Sequence, residues 1–98
     1  MRFIIENISS NPVVALRRAG YQYQHKTDQG ELSFVNPLAR AGYPRFHMYV
    51  KTEGRNLHIS FHLDQKKHTY GNETRHHGEY EESPALDQEA TRIKTIVK

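Results

Sequence analysis

Histidine and carboxylate side chains that could bind a metal or transfer protons are concentrated between residues 45 and 79. His62 and Asp64 occupy next-but-one positions in a segment that also contains His58. On a β-strand, next-but-one residues share one face about 7 Å apart, whereas His58 and His62 would lie about 13 Å apart. Zinc requires imidazole nitrogens within about 2.1 Å of the ion. The pair His62 and Asp64 is therefore the better start of a metal site.

The segment after this strand could complete the site. Residues 65–82 show no hydrophobic period and predict a long loop, and loops of this length in small domains are commonly functional. One hypothesis is a metal site, with zinc as the candidate ion, formed by His62, Asp64 and His77. The other is acid–base chemistry without a cofactor, since the pKa values of histidine and carboxylate can both be tuned toward neutrality. Its candidate catalytic residues are His47, His62, Asp64, His77 and Glu79.

The leading prediction is an RNA-interacting module that could cleave RNA by histidine acid–base chemistry, with the metal site as the alternative, because basic and aromatic residues lie beside these histidines. Arg45, Lys66 and Lys67 could hold phosphate groups, while Tyr49 and Tyr70 could stack on bases. The formal net charge of +3 and the pI of about 9.3 are compatible with a phosphate-rich partner but do not require one. A protein partner or a second copy of the chain on the same surface is a further alternative.

A predicted hairpin positions these side chains. Residues 45–51 and 56–64 alternate between apolar and polar types, as strands with one buried face do. A two-residue turn at Glu53-Gly54 would set the pairs Tyr49 with His58, His47 with Ser60, and Arg45 with His62. In this register the apolar residues share one face and the histidines gather on the other. We expect the apolar face, including Leu57, Ile59, Phe61 and Leu63, to be the buried one.

Capping signals predict two helices. Asn11-Pro12 starts a short helix that Gly20 ends, and Ser83-Pro84 starts a C-terminal helix. The apolar residues of the second helix recur at helical spacing: Leu86, Ala90, Ile93 and Val97. A short strand or an extended arm is predicted near residues 3–8, and residues 21–25 and 31–35 are predicted to form a hairpin. The fold class is therefore α+β, with an antiparallel sheet of four to five strands, two helices on one face, and a long histidine-rich loop before the C-terminal helix.

Length and composition indicate one domain spanning residues 1–98. The absence of cysteine excludes disulfides and thiolate metal sites, and it favours a cytoplasmic protein. Neither a signal-peptide pattern nor an apolar run of membrane-spanning length is present, so no membrane association is expected. The sequence also lacks a phosphate-binding glycine loop, a nucleophile elbow and a dinucleotide fingerprint, so cofactor-dependent catalysis is not expected.

The order of elements resembles that of HicA-type mRNA interferase toxins. The likeness covers residues 12–62 and the last helix, and it includes a short helix ending in the segment LRRAGY at residues 16–21. It implies a small double-stranded-RNA-binding-like fold and a catalytic histidine, at the position of His47. In that family the histidine follows Gly-Ser, whereas here it follows Pro44-Arg45-Phe46, and this chain has an extra strand pair and a longer loop. The chain also resembles short uncharacterised bacterial proteins, which implies no activity.

Overall fold

The computed structural model describes residues 1–65, the backbone of Glu79 and Tyr80, and residues 83–97. Several residues that the sequence places in a site therefore lie outside the described residues: Lys66, Lys67, Tyr70 and His77. Of Glu79 only the backbone is described. The roles predicted for these five side chains stay predictions.

The described residues form an α+β domain with one antiparallel sheet and two helices, as the sequence predicts. The elements in chain order are β1 (Arg2–Ile5), α1 (Pro12–Arg18), β2 (Gln22–Lys26), β3 (Leu32–Pro37), β4 (Arg45–Glu53), β5 (Asn56–Asp64), β6 (Glu79–Tyr80) and α2 (Pro84–Val97). The sheet order is β1-β5-β4-β3-β2, and the short β6 pairs with the end of β5. Strand β5 is therefore flanked by β4 on one side and by β1 and β6 on the other.

Helix α1 begins and ends where the capping signals place it. The side chain of Asn11 accepts a hydrogen bond from the backbone N–H of Val13 at 2.8 Å. At the other end Gly20 has a φ of +99°, and the N–H of Tyr21 donates to the carbonyl of Leu16 at 3.0 Å. A left-handed residue just past the helix satisfies the last carbonyls in this way, and glycine adopts that conformation without steric cost.

Helix α2 packs on the apolar face of the sheet. It starts behind Ser83, whose hydroxyl oxygen accepts a hydrogen bond from the N–H of Leu86 at 3.2 Å. The predicted stripe is buried: Leu86, Ala90, Ile93 and Val97. Leu86, Ile93 and Val97 join one core cluster with the buried side chains of β5, which are Leu57, Ile59, Phe61 and Leu63. The expectation that the histidines of β5 lie off the helix-covered face is confirmed.

The register between β4 and β5 differs by two residues from the predicted one. The two loop residues are Gly54 and Arg55, so Glu53 pairs with Asn56. Gly54 has a φ of +61°, and a glycine with positive φ at the first loop position is what a type II′ turn requires. The predicted pairs Tyr49–His58, His47–Ser60 and Arg45–His62 are therefore wrong. The observed pairs are Tyr49–Ser60, His47–His62 and Arg45–Asp64. Because the shift is even, every side chain keeps its predicted face.

A buried polar contact ties α2 to the end of α1. The hydroxyl of Tyr21 donates to Oε2 of Glu89 at 2.8 Å. Arg92 forms hydrogen bonds to both carboxylate oxygens of Glu89 at 2.8 and 2.7 Å and donates to the carbonyl of Ala19 at 2.6 Å. Burial, together with the negative charge of Glu89, raises the pKa of Tyr21 far above its usual range. This network orients α2 and contributes nothing to the opposite face of the sheet.

Candidate metal centre

His47, His62 and Asp64 form a compact group, here called the His–Asp cluster, on the face of the sheet opposite the helices. His47 on β4 pairs directly with His62 on β5, and Asp64 lies two residues further along β5. One nitrogen or oxygen atom from each residue lies within 4.8 Å of the other two. The exposed fractions of the three side chains are 10, 12 and 15 %, so the cluster is largely shielded from solvent.

The distances within the cluster approach those around a metal ion. Oδ2 of Asp64 lies 3.3 Å from Nδ1 of His47, and Oδ1 of Asp64 lies 3.5 Å from Nε2 of His62. Around a tetrahedral ion with bonds of about 2.1 Å, neighbouring ligand atoms are about 3.4 Å apart. Each imidazole therefore has one nitrogen at about this separation from Asp64, His47 from Oδ2 and His62 from Oδ1.

Ser33 on β3 holds the second nitrogen of His47. Its hydroxyl oxygen lies 2.9 Å from Nε2 of His47, and Ser33 itself is fully buried. If Nδ1 binds a metal, Nε2 carries the proton and donates to the serine; if Nδ1 donates to Asp64, the serine donates to Nε2. Both arrangements orient the imidazole so that Nδ1 faces Asp64. Ser33 was not among the predicted site residues, although its position between Leu32 and Phe34 in an alternating strand assigns it to the polar face.

Ser33, His47 and Asp64 are connected in the same order as a serine-hydrolase triad. The serine hydroxyl contacts Nε2 of His47, and Nδ1 of His47 contacts Asp64. A nucleophile must reach its substrate, however, and Ser33 has 0 % of its surface exposed. In this conformation Ser33 is therefore an orienting residue for His47 and not a nucleophile.

Asp64 is hydrogen-bonded to Arg45 and His47, and it lies 3.5 Å from Nε2 of His62. Burial raises the pKa of Asp64. The hydrogen bond from His47, the charge of His62 and the hydrogen bond from Arg45 together lower it by more, so the pKa lies below its usual value. Nε of Arg45 donates to Oδ2 of Asp64 at 3.2 Å, and the guanidinium also lies over the ring of Tyr43 at 4.7 Å. Arg45, predicted as a phosphate contact, is thus engaged in holding Asp64.

Tyr49 packs beside the cluster. Its ring centroid lies 4.7 Å from that of His47 and 6.0 Å from that of His62. Tyr49, which was predicted to stack on bases, therefore packs against the two imidazoles of the His–Asp cluster. Tyr49 pairs with Ser60 on β5, and Ser60 lies on the same face as His62, two residues before it in the chain.

The structure brings five of the predicted site residues together on one face: Arg45, His47, Tyr49, His62 and Asp64. His58 lies apart from them, with its side chain 41 % exposed and Nε2 3.0 Å from Oε1 of Glu53. The backbone of Glu79 pairs with that of Asp64, which puts Glu79 at a register position next to the cluster. The shared face was predicted correctly, but the predicted register paired His47 with Ser60, whereas His47 lies directly opposite His62.

No family model, curated protein or solved structure matches this chain. The resemblance to HicA-type toxins therefore stays a prediction from the sequence. Among the helices within the described residues, neither combines the length and the apolar character needed to cross a membrane.

Proposed function

We propose that the protein binds a divalent transition-metal ion, with zinc as the first candidate, through Nδ1 of His47, Nε2 of His62 and the carboxylate of Asp64. The observation that carries this proposal is the mutual proximity of the three ligand atoms, all within 4.8 Å of one another. Two imidazoles and one carboxylate form a ligand set found in zinc and iron sites that keep a coordination position open. The site thus differs from the sequence-based set of His62, Asp64 and His77 by including His47.

The surroundings of the cluster support this assignment. Ligating histidines usually donate their second nitrogen to an oxygen, and Ser33 supplies that oxygen to His47 at 2.9 Å. Asp64 is ionised, as a carboxylate ligand must be. The guanidinium of Arg45 opposes a cation at this position, since it lies 3.2 Å from Asp64. We therefore expect weaker binding than in a structural zinc site with four protein ligands.

The geometry favours metal binding over RNA cleavage by His47. A general acid or base must reach the proton that it transfers. Both nitrogens of His47 lie within hydrogen-bonding distance of protein side chains, and only 10 % of its side chain is exposed. A phosphodiester could contact His47 only after the cluster rearranged. Binding of RNA without cleavage does not require His47 to contact the phosphodiester.

Metal titration tests the proposal directly. Protein stripped with EDTA and returned to chelator-free buffer should bind one equivalent of Zn²⁺ in isothermal titration calorimetry. Co²⁺ should give the visible absorption of a site with nitrogen and oxygen ligands. We expect His62→Ala and Asp64→Asn each to weaken Zn²⁺ binding at least tenfold. His58→Ala is the matched control, because it removes an exposed histidine from the same strand. Equal binding by the wild type and His62→Ala would contradict the proposal and indicate adventitious binding by other histidines.

A further inference from the structure

A groove of about 740 Å³ lies on the same face of the sheet, next to the His–Asp cluster. Strands β1, β5 and β4 form its floor, and residues of the loop between β2 and β3 contribute its rim. Its polar lining consists mainly of Arg2, Glu31, Tyr49, Lys51, His58 and Ser60. None of these residues belongs to the proposed metal ligands, so the groove is a separate site.

The register of the strands explains how cationic side chains come to face each other across the groove. Arg2 on β1 pairs with Ser60, and Lys51 on β4 pairs with His58. Strand β5 therefore lies between Arg2 and Lys51, and the two residues are offset by two positions along the strand direction. This places their Cα atoms about 12 Å apart. Both side chains are long enough to converge on one anion above Ser60, in the middle of the groove.

The charge of the groove is positive. Arg2 and Lys51 are exposed, and neither makes an ion pair with any residue that the structure describes. Glu31 is the carboxylate in the lining, so two fixed positive charges face one negative charge when His58 is neutral. His58 is also paired with Glu53 on the hairpin, at 3.0 Å. An anion with a single charge would gain little here, whereas a phosphate with several oxygens can accept hydrogen bonds from Arg2 and Lys51 together.

Tyr49 joins the groove to the His–Asp cluster. It lines the groove and also contacts the rings of His47 and His62. A ligand whose phosphate lies between Arg2 and Lys51 could therefore reach the ring of Tyr49 with its other end. Flat nucleobases bind such rings by stacking.

We infer that the groove binds a nucleotide-type phosphate ligand, with the phosphate between Arg2 and Lys51 and the base against Tyr49. The inference goes beyond the proposed metal site and does not depend on a bound ion. A free nucleotide and a single-stranded RNA both present this combination of phosphate and base. The two sources differ in how many phosphates contact the protein, and this difference can be measured.

The experiment uses the full chain in buffer containing EDTA, so that a phosphate bound to a metal cannot contribute. Two probes are titrated, AMP and a single-stranded oligoribonucleotide of about six residues, and binding is followed by calorimetry and by shifts of backbone amide signals. We expect saturable binding of at least one probe, with amide shifts on β1, β4 and β5. The double variant R2A/K51A should weaken it at least tenfold.

The matched control is K26A/R40A, which removes the same two positive charges at exposed positions outside the groove. It should retain binding within about twofold. Binding of RNA that weakens steeply with salt, without binding of AMP, would identify a nucleic-acid strand as the ligand, and comparable affinity for AMP would identify a free nucleotide. Absence of binding by both probes, or equal losses in R2A/K51A and K26A/R40A, would overturn the inference. Neither result would bear on Zn²⁺ binding, which is measured without nucleotide.

Discussion

His47 and His62 lie directly opposite each other on β4 and β5, with their ring centroids 4.8 Å apart and their ring planes at 61°. This pairing depends on the register of a single hairpin. A slip of one residue would turn one of the two imidazoles into the apolar core, because neighbouring residues on a strand point to opposite faces. The geometry of the cluster therefore depends on the two-residue turn at Gly54 and Arg55 more than on either helix.

Zinc should raise the melting temperature of the protein. A ligand that binds only the folded state stabilises it by mass action, by about 2.7 kcal/mol when its free concentration is a hundredfold above Kd. We expect differential scanning fluorimetry to show this shift in the wild type and in His58→Ala but not in His62→Ala. A shift of equal size in His62→Ala would place the bound zinc elsewhere.

Replacing Ser33 by alanine should weaken metal binding through His47. The substitution removes the oxygen 2.9 Å from Nε2, so the imidazole loses the partner that fixes its orientation. Loss of such a partner typically reduces metal affinity 10–100-fold. We expect at least a tenfold rise in the Kd for Zn²⁺, measured by competition with a chromogenic chelator.

The control for Ser33→Ala is Val35→Ala. Val35 is a buried residue of the same strand and pairs with His47, but its side chain has no polar atom. It should lower the free energy of unfolding while leaving the Kd for Zn²⁺ unchanged. A similar loss of affinity in both variants would mean that Ser33 acts through general stability and not through the imidazole.

The protein should lose stability at alkaline pH through Tyr21. Burial and the adjacent Glu89 raise its pKa in the folded state, whereas in the unfolded chain it ionises near pH 10. The unfolded state therefore releases this proton first, so the free energy of unfolding falls as the pH rises above about 10. Urea denaturation between pH 8 and 11 measures the effect.

Tyr21→Phe should flatten that pH dependence. It should also lower the free energy of unfolding at pH 8 by about 1–3 kcal/mol, because Glu89 loses a hydrogen-bond donor in a buried position. Tyr23→Phe is the matched control, since Tyr23 is 42 % exposed. An unchanged alkaline slope in Tyr21→Phe would assign the loss of stability to another group.

Leu63→Ala should destabilise the fold by about 2–5 kcal/mol, the cost of removing a buried leucine side chain. Leu63 is 7 % exposed and belongs to the main core cluster. Ile4→Ala provides the comparison, because Ile4 is 50 % exposed on the opposite face and should change the free energy of unfolding by at most about 0.5 kcal/mol. Equal costs in chemical denaturation would contradict the assignment of the two faces.

Local signals in the sequence predicted the helices and the faces of the strands. Asn11 and Ser83 are caps with their own hydrogen bonds, and the alternation in β5 needs only the period of a strand. The register of the hairpin was not predicted correctly because a glycine can occupy either position of a two-residue loop. For this reason the predicted partner of His47 was Ser60, whereas the observed partner is His62.

The partners of the cluster that come from distant strands could not be predicted in the same way. The contact between Ser33 and His47 follows from the pairing of β3 with β4, with Ser33 opposite Tyr49. From the sequence, β3 was predicted to pair only with β2. Burial on the polar face was also unexpected, since alternation alone predicts a solvated face, whereas Ser33 and His47 are both buried.

The order of the strands also determines when each part of the molecule can form during synthesis. Strand β1 leaves the ribosome long before its partner, residues 57–60 of β5, because α1 and strands β2, β3 and β4 lie between them in the chain. Strands β3, β4 and β5 are instead neighbours in sequence, and hairpins between such neighbours form early because little chain entropy is lost in closing them. These three strands carry Ser33 and the whole His–Asp cluster. We therefore expect the nascent chain to assemble its polar face before β1 and α2 close the core.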